Sequence, residues 1–63
     1  MLTMKEWRRA KGVSVKQMAE ELGVNPSTVV KWESGKSKMP VDKAAKYCQS
    51  LGVKLDDVFI LEI

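Results

Sequence analysis

The stretch that most constrains this chain runs from Val15 to Gly35, VKQMAEELGVNPSTVVKWESG. Val15, Met18, Ala19 and Leu22 fall at i, i+3, i+4 and i+7, which places them on one helical face. Gly23 follows, where a helix ends cheaply in the left-handed conformation. Val24 is a single apolar residue positioned to plug the angle of a turn. Asn25 offers an N-cap oxygen, and Pro26 occupies the first helical position, where its missing N–H costs nothing. A second helix then carries Val29 and Trp32 inward and stops at Ser34-Gly35, leaving Ser27, Thr28 and Lys31 for the other face.

Two short helices across a tight turn make a helix-turn-helix. The stretch resembles the DNA-binding motif of the phage-repressor and Cro class, the xenobiotic-response-element family. The resemblance runs from about Met4 to Phe59 and includes WRRAKGVS before the motif, KWESGKSKMP after it and LGVKLDDVF near the end. No single piece is diagnostic; their order and spacing carry the signal.

Composition narrows the function classes. At 63 residues there is room for one small domain with a modest core. With 30% charged and 44% apolar residues the chain reads as globular. No run approaches the ~20 apolar residues of a membrane span, and no signal-peptide pattern is present. A lone Cys48 excludes an internal disulfide framework and fits a reducing cytoplasm. With no histidine and one cysteine, histidine-based catalysis and a zinc site lack their groups. The expectation is a cytoplasmic protein that is not an enzyme and has no cofactor, metal or catalytic residues. Charge is unevenly spread. Residues 1–46 hold ten Lys/Arg against five Asp/Glu, and residues 47–63 hold one against three, a basic body with an acidic end. A basic body attracts polyanions.

In chain order, Thr3 and Glu6 form a capping-box pattern that starts a helix over Met4–Lys11, with Met4 and Trp7 inward. Ser14 and Gln17 form a second box. A fourth helix is expected from Val41 to Leu51 with Val41, Ala44, Ala45, Cys48 and Leu51 as its inner stripe. A fifth, short helix is expected from Leu55 to Phe59. The expected fold is therefore an all-α, five-helix, repressor-like domain with a central helix-turn-helix, a single unit over residues 1–63.

The resemblance implies roles residue by residue. Pro26, Ser27, Thr28 and Lys31 match the base-facing positions, with Val30 at the edge; Pro26 also reads simply as a helix-start device. Lys can donate to guanine, Ser and Thr suit either base type, and apolar surface meets a thymine methyl. Lys36, Ser37 and Lys38 match a loop along the sugar-phosphate backbone, and Gln17 and Asn25 join the backbone set. The family commonly places glutamine after the capping serine as a phosphate clamp; here that position is Val15. Arg8 matches an arginine that pairs with an acidic residue late in the recognition helix, here Glu33. The tail residues Ile60, Leu61 and Ile63 are surplus aliphatics that suit a dimer interface. Together these imply a sequence-specific transcriptional regulator, acting as a repressor that occludes a promoter. The partner is double-stranded DNA with a palindromic operator, bound by a homodimer formed in solution or only on DNA. A protein-interaction module that keeps the fold but has given up DNA is the alternative, and Val15 favours it.

Overall fold

Each of the first three helices starts on a side-chain cap. The computed structural model describes residues 2–59, Phe59 for its backbone only. Helix α1, Met4–Ala10, begins at Thr3, whose hydroxyl accepts from the Glu6 N–H at 3.2 Å while the Thr3 N–H donates to the Glu6 carboxylate at 2.9 Å. Helix α2, Val15–Leu22, repeats the device with Ser14 and Gln17 at 3.0 and 2.9 Å. Helix α3, Pro26–Glu33, begins where the Asn25 side-chain oxygen accepts from the Ser27 N–H at 3.0 Å. These bonds satisfy donors that a helix start leaves open. Gly23 takes a left-handed φ of 68° and turns the chain from α2 into α3. Helix α4, Val41–Leu51, has no side-chain cap, but Asp42 lies in its first turn, where the dipole favours an anion.

The fifth helix expected over 55–59 does not form. Leu55–Asp57 make one 3-10 turn, and Val58–Phe59 extend as strand β2, parallel to strand β1, Leu2–Thr3. Leu2 faces Val58 and Thr3 faces Phe59 in the pairing. Five residues are too few to offset helix nucleation without a side-chain cap, and Lys54 provides none. Val and Phe favour extended backbone, and β1 offers a partner for its open groups. The fold is thus a mostly helical helix-turn-helix domain with four α-helices among the described residues, closed by a two-residue ladder.

The core comprises Met4, Met18, Ala19, Leu22, Val29, Ala44, Tyr47, Cys48, Leu51 and Val58. Val13, Val15, Val24, Trp7, Trp32, Met39 and Val53 pack against it partly buried. The inner stripe of α4 departs from expectation. Val41 is 78% exposed and Ala45 also faces solvent, whereas Tyr47 is fully buried. Ala44, Tyr47, Cys48 and Leu51 lie at i, i+3, i+4 and i+7, so the buried face is turned away from 41 and 45 toward the tyrosine. Two polar ties fix the packing. The Trp7 indole N–H donates to the Asp57 carbonyl at 3.2 Å, joining α1 to the 3-10 turn. The Lys43 ammonium donates to the Leu22 carbonyl at 2.9 Å, capping the end of α2 from α4. Among the described residues no helix is long and apolar enough to cross a membrane.

Candidate nucleic-acid interface

Helix α3 has two unlike faces. Val29 and Glu33 are buried and Trp32 is half-buried. On the other side Ser27, Val30 and Lys31, at i, i+3 and i+4, are exposed together with Pro26, and Thr28 is half-buried. This face therefore carries the hydroxyl of Ser27 with that of half-buried Thr28 beside it, two apolar side chains and one cation, groups that match the donors, acceptors and methyls of base edges.

The loop after α3 folds back on it. The Ser34 hydroxyl and the Ser37 N–H both donate to the Lys31 carbonyl, at 3.2 and 3.3 Å. Gly35, buried at φ 79°, makes the reversal, a backbone region that a side chain would strain. Lys36, Ser37 and Lys38 are all exposed just beyond the end of α3. Two lysine ammoniums there extend the cation of Lys31 into a basic rim.

Gln17 and Asn25 are also exposed, and each already has one task. The Gln17 side-chain oxygen accepts from the Ser14 N–H, and the Asn25 oxygen accepts from both the N–H and the hydroxyl of Ser27. The amide NH₂ of each is a donor, the group suited to a phosphate oxygen. Val15 is half-buried against the core, with no polar group to offer from its side chain. Ile60, Leu61 and Ile63 lie outside the described residues.

The structure brings Arg8 and Glu33 together. Arg8 Nε donates to Glu33 Oε2 at 2.7 Å and Nη2 to Oε1 at 3.2 Å, with both side chains buried. Arg8 Nη1 donates to the Val13 carbonyl at 2.7 Å, so the guanidinium also holds the turn before α2. The hydrogen bond to Glu33 raises the Arg8 pKa against the opposing effect of burial. A residue not foreseen from sequence completes the cluster: the Tyr47 hydroxyl donates to Glu33 Oε2 at 2.6 Å and lies 3.1 Å from the Met4 carbonyl. Burial, and then the neighbouring carboxylate, push the Tyr47 phenol well above its ordinary range, so it stays a donor. A sequence signal existed. A tyrosine in an apolar stripe needs a partner for its hydroxyl, and a buried glutamate has more lone pairs than one arginine fork fills. Among the described residues no buried side-chain polar atom lacks a partner.

The chain as a whole is similar to known proteins. Residues 4–58 match a family model described as helix-turn-helix. An uncharacterised HTH-type transcriptional regulator of Methanocaldococcus jannaschii is 32% identical over 59 residues, spanning 94% of this chain and 89% of the relative. Among solved structures, SinR, a master regulator for biofilm formation crystallised with DNA, superposes with a TM-score of 0.73 at 28% identity. That match covers 84% of this chain and 86% of SinR's.

The buried pair has a thermodynamic signature. Removing one member strands the other, so Arg8→Ala and Glu33→Ala should each cost about 3 kcal/mol or more in urea melts. The double mutant should lose far less than the sum of the two. Additive losses would show that the two charges contribute independently.

Proposed function

The chain belongs to the helix-turn-helix family of DNA-binding transcriptional regulators, and from that premise we propose that it is a sequence-specific repressor that occludes a promoter. The observation that carries this reading is the outer α3 face, exposed Ser27 and Lys31 with half-buried Thr28, set against the lysine rim of the following loop. In this mechanism α3 enters the major groove with Ser27, Thr28 and Lys31 on base edges and Pro26 against the bases at its tip. Lys36, Ser37 and Lys38 lie along the phosphates, joined by the amide groups of Gln17 and Asn25. Phosphate contacts set position, and base contacts set sequence. The work is done in the cytoplasm by exclusion of polymerase, so no cofactor or catalytic group is required.

One recognition helix reads only a few base pairs, too few to select a site in a genome. A homodimer on a palindromic operator therefore belongs to this function, with half-sites about one helical turn apart. Ile60, Leu61 and Ile63 are the side chains we assign to its two-fold axis, on the strength of their apolar character at an otherwise acidic end. The second reading, an interaction module without DNA, draws on Val15, whose half-buried side chain offers no phosphate contact.

Two sets of lysine mutants separate the roles. Lys31→Ala should cost roughly 1–3 kcal/mol on the preferred site and relax preference at one base pair. Lys36→Ala with Lys38→Ala should weaken all duplexes alike and flatten the salt dependence, by about 0.9 in log–log slope for each phosphate no longer neutralised. Absence of duplex binding at low salt would favour the interaction module, and an equal weakening on all sequences for Lys31→Ala would reduce that residue to a phosphate partner.

Assembly has its own test. A chain ending at Phe59 should keep its helical circular-dichroism spectrum yet lose cooperative binding to a palindrome. Cooperative binding of equal strength by the shortened chain would remove the tail from the interface.

A further inference from the structure

The carboxylate of Glu33 is held by bonds from two helices, α1 and α4. The Arg8–Glu33 fork alone joins α1 to α3 along one line, and a helix joined along one line can still roll about it. The Tyr47 hydroxyl reaches the same carboxylate from α4 and bonds to Oε2 at 2.6 Å, while Arg8 Nε holds that oxygen at 2.7 Å. The same hydroxyl lies 3.1 Å from the Met4 carbonyl at the start of α1. Tyr47 is wholly buried and Glu33 nearly so, so neither bond competes with water. At the other end, the Asn25 cap is an exposed bond to Ser27 within the same segment and ties α3 to no other helix.

A small roll of α3 has a large effect at its outer face. Side-chain tips lie about 6 Å from a helix axis, so a roll of about 10° moves them by about 1 Å. Recognition groups need placement within about 0.5 Å and 10–20°. Phosphate contacts from flexible lysines tolerate such a shift, whereas directional bonds to base edges do not. Ser27 lies six residues before Glu33, about 9 Å along the axis, so a constraint at the buried end governs side chains that it never touches.

We propose that Tyr47 is a positioning residue for sequence discrimination: its bond to Glu33 sets the roll of the recognition helix without contacting DNA. This rests on the DNA-binding reading above, and it adds a determinant on α4, a helix with no assigned base or phosphate contact. Loss of the hydroxyl should blur selectivity at the positions under Ser27, Thr28 and Lys31 together, because they move as one body. Loss of core volume elsewhere on α4 should lower stability without that blurring.

The test compares Tyr47→Phe, which keeps the ring, with Cys48→Ala, which removes only buried apolar volume from the neighbouring position. Each is titrated, at a temperature well below its melting point, with the best duplex selected from a random pool by the parent chain and with a scrambled duplex of equal length. Tyr47→Phe should bind the scrambled duplex within twofold of the parent. Its preference for the selected site should fall about tenfold, the scale of one weakened base contact. Cys48→Ala should melt lower and keep its preference within twofold. Retained discrimination in Tyr47→Phe, or an equal loss in Cys48→Ala, overturns the inference and leaves the DNA-binding reading intact. A parent chain that binds neither duplex overturns both.

Discussion

A carboxylate buried between helices is costly unless both of its oxygens find donors. Glu33 meets that condition through Arg8 and Tyr47, and their geometry dictates how α1, α3 and α4 meet. Arg8 extends the arrangement to the turn before α2 through the Val13 carbonyl. Apolar packing brings these helices together, but its driving force is non-directional. The polar cluster is directional, and a displaced helix would leave a charge stranded. It therefore acts as the register mark of a small core.

That mark matters because the helices are short. Seven or eight residues do not hold a helix in water on their own, so caps and packing must do so. Thr3, Ser14 and Asn25 fix where α1, α2 and α3 begin, and Gly23 fixes the turn into α3. Helix α3 is then loaded on opposite sides: Val29, Trp32 and Glu33 bind it to the core, and Ser27, Val30 and Lys31 are left in solvent. The loop hydrogen bonds to the Lys31 carbonyl keep the lysine rim beside that face. Core packing and the proposed DNA contacts thus draw on different sides of one eight-residue helix.

Much of this was legible in the sequence because it is local. Caps, glycine stops and helical periodicity depend on residues within a few positions, and the helices α1 to α4 lie close to where those signals put them. The proximity of Arg8 to Glu33 was legible only through the family resemblance. What escaped depends on partners far along the chain. Val58–Phe59 extends because Leu2–Thr3 is there to pair with it, across more than fifty residues. Tyr47 replaces Val41 and Ala45 on the inner face of α4 because a carboxylate on another helix receives its hydroxyl. Periodicity alone cannot fix the roll of a helix whose apolar residues occupy a broad arc.

Helix α3 thus presents an exposed face from a buried support, and the proposed function requires that this face, the loop after it and the start of α2 meet DNA. The most direct measurement follows backbone amide resonances of the full chain as a selected duplex is added. Shifts should concentrate at 26–31 and 36–38 and at the start of α2, and leave Glu20, Glu21 and the outer side of α4 unmoved. Shifts centred on Glu20, Glu21 and the outer side of α4, with 26–31 unchanged, would contradict that function.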